Sequence, residues 1–547
     1  MKIYSKIKVL ILAAILVTGM AAVSVQNDKL FEISKNLEIF INVYKELNTN
    51  FVDDLDPSVM MRTALDAMVG SLDPYTNYIS ESQVESYRLT QDEKYQGIGA
   101  RVGLVDGVFT ILEPYAGGPA VEAGLKAGDQ ILKIENTDIS GKSLDEINGI
   151  VRGVPGTEVL MHVRKTGQKE SVLVKLTRGE VNIPNVPYSG LVSDDIGYIQ
   201  LTVFTQNASG NISKALKDLK NKNPELKGVI IDLRDNGGGL LHEAVNICNL
   251  FIPAGEVVVT TKAKVKEKDQ TYKTMNPPLD TEIPVAVLID KRSASASEIV
   301  SGVIQDLDRG VLIGQRSFGK GLVQNTKEMG YNSRLKLTTS RYYIPSGRCI
   351  QGVEYENGVP KDIPDSRRSV FKTRNGRQVL DGGGVTPDIR LEPVKKHVLT
   401  EALLEKHMIF KFANEYCAGR DSVAAPGSFV FTDFDRFMNF VKKSGFNFES
   451  EAEKNLQKMK EALTALTEPA TMKDEIKSIE QKIAAAKQEA WQKAKAEITA
   501  EIEKEIITRY YYQSGRSKHT LSGDPEVAEA ISVLKDPARY RKILARK

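Results

Sequence analysis

Three serines alternate with alanines in the stretch "DKRSASASEIV": Ser293, Ser295 and Ser297. A serine hydroxyl among small side chains can act as a nucleophile if a neighbouring group takes its proton. The stretch "GQRSFGKG", residues 314–321, supplies a candidate in Lys320. Free lysine titrates at about 10.4, but an apolar setting can bring it to roughly 7–8, where it serves as a general base. Phe318, Leu322 and Val323 lie close by in sequence, and no acid does. A third stretch, "DLRDNGGGLL", sets Gly237, Gly238 and Gly239 between a strand-like run and a helix-like one. Backbone N–H groups in such a loop can converge on one oxygen, as an oxyanion requires. Serine, lysine and a donor loop together spell acyl transfer. Each part also has a plainer reading. Ser295 and Glu298 form the Ser-x-x-Glu of a helix capping box, and turns use glycine for geometry alone.

Other chemistries fit less well. "GQRSFGKG" nearly matches a phosphate-binding loop, but Gly321 stands where a Ser or Thr hydroxyl would hold magnesium, and no helix follows. His242-Glu243 lacks the second histidine of a zinc protease helix. As the histidine of a Ser/His/Asp hydrolase, His242 is a third-ranked candidate, and it reads more simply as a helix residue. Cys248, Cys349 and Cys417 show no CxxC spacing, which leaves structural thiols with at most one disulfide. No metal and no cofactor is expected. A net charge of +3 over 547 residues gives no reason to expect a nucleic-acid partner.

These loops need elements to position them, and the chain divides by pattern. Residues 1–26 carry Lys2, Lys6 and Lys8 before an uncharged run from Val9 to Val25. That is the shape of an export signal, long enough to stay as a membrane anchor. It predicts an exported protein of the periplasm or cell envelope, cleaved free or tethered in the inner membrane. Residues 27–92 read as a helical module, with Leu30, Ile33, Leu37, Phe40, Ile41, Tyr44 and Leu47 on one stripe for packing and Asp56-Pro57 starting a second helix. Residues 93–180 alternate short strands with two short helices, a compact β-rich domain. Its opening loop, Gly97, Ile98, Gly99 and Ala100, can direct N–H groups at a carboxylate.

Residues 181–395 are α/β. The apolar runs 228–233, 285–290 and 310–315 predict buried strands alternating with helices, and the three reactive stretches sit at or after their ends. Residues 396–547 form a helical extension. Its charged stretch 450–510 predicts a long helix, either a solvated arm or an added packing layer.

The phrase running from Gly118 to Ile131, "GPAVEAGLKAGDQI", resembles PDZ domains of the bacterial type. The stretches "SASASEI", "GKGLVQ", "DLRDNGGG", "YIPSGRCIQG" and "GGGVTPDI" together resemble the C-terminal processing peptidases, or tail-specific proteases, over about residues 30–395. The resemblance implies a crotonase/ClpP-like α/β peptidase core with an inserted PDZ domain, a helical N-terminal module and a helical C-terminal extension. It implies Ser295 as nucleophile, Lys320 as base, Gln324 as the residue holding the amine, and the N–H groups of Gly238 and Ala296 as oxyanion donors. It implies that the PDZ loop, Gly97 to Ala100, captures a free C-terminus by strand addition. Substrates would be unfolded or tail-exposed proteins with apolar C-termini, and the C-terminal helices would serve self-association or an adaptor. Asp306 is the nearest acid for the third group described in some members, though it reads more simply as a surface or capping acid. The chain departs from the family at Gly237, where Asn-Pro-Gly-Gly would place proline, and this predicts a looser loop. The alternative is a silent binding scaffold of the same architecture in the cell envelope.

Overall fold

The computed structural model describes residues 29–464 and 473–545, apart from 82, 85, 86, 88–93 and 357. The expected signal or anchor, residues 1–26, lies outside the described residues. Two units are distinguished: residues up to 78 with 358 and 359, and the remainder. The first holds helix α1, residues 29–50, and helix α2, Pro57–Gly70. Asp56 caps α2 by accepting from the N–H groups of Ser58 and Val59, and Pro57 occupies the first turn as expected. The predicted packing stripe of α1 stays largely uncovered, with Leu30, Ile33, Leu37, Ile41 and Leu47 exposed.

In the second unit, the antiparallel pair Lys94–Gly97 and Gly179–Asn182 brackets a small domain. Five of its strands form the sheet β1 (Ala100–Val105), β2 (Val108–Pro114), β3 (Gln130–Ile134), β4 (Glu158–Arg164) and β5 (Ser171–Thr177), in that spatial order. Alternating residues of β4, Val159, Met161 and Val163, are buried with Ile111 and with Ile147 of helix α4 (Leu144–Val151); a shorter helix α3 spans Pro119–Glu122. Strand β1 forms one edge of this sheet.

The α/β part is a six-stranded sheet: β6 (Tyr188–Ser193), β7 (Ile196–Gln200), β8 (Gly228–Asp232), β9 (Val285–Ile289), β10 (Val311–Gly314) and β13 (Ile389–Arg390). A hairpin of β11 (Leu322–Gly330) and β12 (Ser333–Tyr343) intervenes in sequence and belongs to a second sheet. The β6–β7 pair is antiparallel and the others parallel. The three apolar runs expected to be strands therefore lie side by side. One face buries Val229, Ile231, Val285, Val287 and Leu312 against helices α5 (Ala208–Lys222), α6 (Leu241–Phe251) and α7 (Ala296–Asp306).

The opposite face is closed by the far end of the chain. Helices α8 (Val398–Glu405), α9 (Met408–Cys417) and α10 (Phe434–Lys443) pack around Ala494, Ile498, Ile502 and Ile506 of the long helix α12 (Lys473–Thr520). Spacing of four residues makes that stripe one helix face. The earlier part of α12 pairs with α11 (Glu451–Thr464) through Lys460–Glu480 and Lys487–Glu453. The chain then continues into α13 (Pro525–Lys535) and α14 (Pro537–Leu544). Val527, Ala530, Val533 and Leu534 of α13 are buried on Tyr198, Ile230, Ala286, Leu288, Val311 and Ile313. The extension is thus both a helical bundle and a layer of the α/β core, and the break expected at 395 does not isolate it.

Ending the chain at residue 523 should cost on the order of 5 kcal/mol from Val527, Val533 and Leu534 alone, each worth about 1.5–3. Urea unfolding of the truncated and full-length chains checks this. An unchanged midpoint would mean the sheet needs no such cover.

Candidate active site

Strands β8, β9 and β10 are parallel neighbours, so the loops that follow them emerge at one end of the sheet. Open α/β sheets gather reactive groups there. These loops are the glycine, serine and lysine stretches.

The serine loop sorts its three hydroxyls. Ser293 is buried and donates to the Leu233 carbonyl at 2.8 Å. Ser297 is buried and donates to the Asn236 carbonyl at 2.8 Å. Both stitch the serine loop to the glycine loop. Ser295, half-exposed between buried Ala294 and Ala296, is the one left at the surface of this junction. Its φ of 56° and ψ of −113° are unusual for a residue with a side chain, a strain that persists only where surroundings enforce it. Ser295 precedes α7, whose first residue is Ala296. The N–H of Ala296 therefore has no acceptor within its own helix.

Glu298 joins the serine loop to the lysine loop. Its carboxylate is fully buried. One oxygen accepts the Ser317 hydroxyl at 2.5 Å and the Gly319 N–H at 2.7 Å. The other accepts the backbone N–H groups of Ser295 and Lys320, each at 2.8 Å. The capping-box reading foresaw the bond to Ser295 and none of the other three. Burial pushes the Glu298 carboxyl up to about 7, against the pull of these donors. The Tyr342 hydroxyl lies 2.6 Å from the Lys320 carbonyl and 3.1 Å from that of Ser295, bridging the same two residues.

The glycines around Lys320 serve close packing rather than phosphate binding. A Cβ on Gly319 would stand 3.0 Å from the Gly352 backbone, and one on Gly321 would stand 2.7 Å from the Gln351 nitrogen. The Gly321 N–H donates to Gln351 Oε1 at 2.7 Å. Residues 350–352 and 383–385, which carried the resemblance without an evident task, thus form the bed beneath the lysine loop. Lys320 itself is half-buried. Gln324 lies on β11 and its amide donates to Thr338 Oγ1 at 3.1 Å.

Asn236 fixes the glycine loop. Its amide donates to the Leu201 carbonyl at 2.8 Å, and its own carbonyl accepts from Ala294 N–H and Ser297 Oγ. Its side-chain oxygen accepts the Gly238 N–H at 2.9 Å. The expected donor at Gly238 is therefore turned onto Asn236. These bonds hold the residues on either side of Gly237. Gly238 has φ +96°, and a Cβ there would meet Ala294 O at 2.7 Å and Ala296 N and Ser295 Cβ at 2.9 Å. Gly238→Ala should slow phosphonylation of Ser295 by about 10²-fold through displacement of this junction. The rate of labelling by a serine-directed phosphonate measures it, and an unchanged rate would show the contact to be slack.

Two sequence candidates fall elsewhere. Asp306, read as a surface or capping acid, is buried and pairs with buried Arg348 at 2.8 Å while accepting the Ser346 N–H. It ends α7, about 15 Å along the helix from its start at 1.5 Å per residue, too far to touch the serine hydroxyl. His242 is 62% exposed and faces Glu243 at 3.6 Å. Among the described residues no cluster suited to a metal ion occurs, all three cysteines are free, and no helix is long and apolar enough to cross a membrane.

The small β domain holds the other expected site. Gly97 ends the strand paired with Gly179, Ile98 is buried, the Gly99 carbonyl accepts the Tyr115 N–H at 2.8 Å, and Ala100 begins the edge strand β1. The loop thus opens directly onto an edge whose backbone groups can take another strand.

Comparison with known proteins agrees with this layout. Residues 195–364 match peptidase family S41, residues 110–165 match the PDZ domain, and residues 399–534 match the C-terminal helical domain of probable PDZ-proteases. A carboxy-terminal-processing protease of Bartonella bacilliformis is 34% identical over 354 residues, covering 64% of this chain and 80% of that protein. A probable CtpA-like serine protease of Staphylococcus aureus is 33% identical over 366 residues, covering 65% of this chain and 72% of that protein. Among solved structures, a photosystem II D1 C-terminal processing protease is similar at 23% identity and a TM-score of 0.36, over 65% of this chain and 92% of that one.

Proposed function

This chain belongs to peptidase family S41, the carboxy-terminal-processing serine proteases, and carries a PDZ domain; from that premise we propose that it is a Ser/Lys endopeptidase acting on exported proteins through their free C-terminal tails. The observation that carries the proposal is the Glu298 carboxylate, which accepts the backbone N–H groups of Ser295 and Lys320 on one oxygen. The two residues that the proposed chemistry needs are thereby held side by side through their backbones.

In the proposed reaction, neutral Lys320 takes the Ser295 proton as the hydroxyl attacks the scissile carbonyl. The oxyanion forms at the N–H of Ala296, with the Gly238 N–H joining it by leaving Asn236. Lys320, now protonated, gives its proton to the leaving amine, and the acyl-enzyme remains on Ser295. Lys320 then deprotonates a water, which releases the acid and restores the serine. Gln324 orients the lysine amine from β11. The tail is held at residues 97–100, where its carboxylate meets backbone N–H groups and its chain adds to β1, with apolar last residues against the small domain's core. Export follows from the basic and apolar N-terminal pattern, with residues 9–25 as cleaved signal or inner-membrane anchor.

The test uses an unfolded reporter with a free apolar C-terminal tail and the same reporter with that terminus amidated. Incubated with the full chain and followed by mass, the free-tailed reporter should be cleaved and the amidated one spared. Equal cleavage of both would remove tail recognition. Cleavage of neither would favour the silent scaffold.

A further inference from the structure

The strand-to-loop turn that leads into the glycine loop is held by residues almost three hundred positions later. Arg234 follows β8, four residues before Gly238. Its guanidinium meets Asp232 on its own strand, with Nη2 2.6 Å from Oδ2. Nη1 lies 2.7 Å from Asp524 Oδ2 and 2.7 Å from Glu526 Oε2. Asp232 also accepts the Arg234 backbone N–H at 2.9 Å and the Tyr198 hydroxyl at 2.6 Å. Burial works against the Arg234 charge, yet Asp232 and Asp524 hold its pKa above the ordinary value. Burial pushes the Glu526 carboxyl up, and Arg234 pulls it back.

The arrangement exceeds what docking a helix demands. The apolar side chains of α13 already cover the sheet. Asp524 already caps α13 by accepting from Glu526 N–H and Val527 N–H, and this capping requires no arginine. Gathering two buried carboxylates and a partly buried third around one guanidinium is costly unless each is well paired. The pairing is directional: it fixes the guanidinium from the strand side and the helix side together. Beyond Arg234 the chain is held at Asp235, Asn236 and Gly238. The Asp235 N–H donates to Asp290 at 3.0 Å, and Asn236 then holds Gly238.

We infer that Asp524 and Glu526 are positioning residues for the active site, setting through Arg234 the turn that presents Gly238 to Ser295 and Ala296. The catalytic apparatus thus extends into the last 24 residues of the chain, beyond the region matched by the peptidase family. The consequence for rate rests on the peptidase reading; the consequence for the loop's order does not.

The variants are Glu526→Gln and the pair Asp524→Asn with Glu526→Gln, made in the full chain. Both keep the shape of α13 and its cap, since Asn caps about as well as Asp. Amide hydrogen exchange is read for residues 233–240 and for 527–534. In the double variant the first segment should exchange at least about tenfold faster while the second is unchanged, with Glu526→Gln intermediate. Phosphonate labelling of Ser295 should slow about tenfold with reversible inhibitor affinity within about twofold. Exchange of 233–240 unchanged from the parent chain would overturn the inference, as would faster exchange accompanied by unaltered labelling. If the parent chain is not labelled at all, the peptidase reading fails, and the exchange data alone decide the positioning role.

Discussion

Ser295→Ala should abolish turnover, a fall of about 10⁶-fold in kcat by the scale seen when a catalytic serine is removed. Folding should be largely kept, because the ties to the glycine loop do not run through this hydroxyl, and the loss of its capping-box place costs only about 1 kcal/mol. The stitching belongs to Ser293 and Ser297, which donate to Leu233 and Asn236. Circular dichroism should therefore superimpose on the parent chain, and thermal unfolding should shift by no more than a lost helix cap accounts for. Lys320→Ala should fall almost as far, and Lys320→Arg should be equally inactive, since a guanidinium cannot give up its proton to act as base. The loop itself is held by backbone groups of residues 319–321, so the lysine side chain can be changed without dismantling it. An inactive Ser295→Ala beside a fully active Lys320→Ala would assign the base elsewhere. Steady-state cleavage of a fluorogenic peptide measures all three.

The second large effect concerns Glu298. Glu298→Ala leaves four donors, from Ser295, Ser317, Gly319 and Lys320, without their buried acceptor. At about 1–3 kcal/mol for each unsatisfied group, the cost is at least about 4 kcal/mol, and the variant should be poorly folded. Glu298→Gln is the informative change. It keeps the volume but presents an amide N–H₂ to donors that need an acceptor, which should separate the serine and lysine loops. A displacement near 1 Å costs about 10²-fold in rate, and kcat should fall by at least that with a smaller change in KM.

The same carboxyl leaves a pH signature. Its folded pKa of about 7 lies above the unfolded value near 4.5. The folded state therefore binds the proton more tightly, and stability falls as pH rises from about 4.5 to 7. Below that window this group exacts no penalty; above it the penalty is complete, on the order of 3 kcal/mol. Activity runs the other way, because the ionised carboxylate is the form that accepts all four donors. Glu298→Gln should flatten the stability change across the window. A parent-like slope in the glutamine variant would place the titration on another group.

The serine, lysine and glycine loops were legible in the sequence because each is a local pattern. Ser295 sits between alanines, Lys320 between glycines, and the three glycines follow a strand. The strands themselves were legible as Val and Ile runs bounded by polar turns. The joints between loops were not legible. Glu298 reads as a capping residue because its first partner is three positions away, whereas its other partners lie 19 to 22 positions away on another loop. Asp306 reads as exposed in "DLDRG", since nothing nearby announces Arg348 as its buried partner. The helix α13 shows an amphipathic pattern that would suit any apolar face, and its docking on β8, β9 and β10 is a matter of chain topology. The stripe on α1 illustrates the reverse case: periodicity specifies a helix with an apolar face but not what covers it.

The most direct test of the Ser/Lys account is intact-mass detection of covalent labelling by a serine-directed phosphonate, on the full chain, on Ser295→Ala and on Lys320→Ala. The account predicts one adduct, mapped to residue 295, absent from Ser295→Ala and at least about 10³-fold slower in Lys320→Ala. An adduct that persists in Ser295→Ala, or that forms at the parent rate without Lys320, would contradict it.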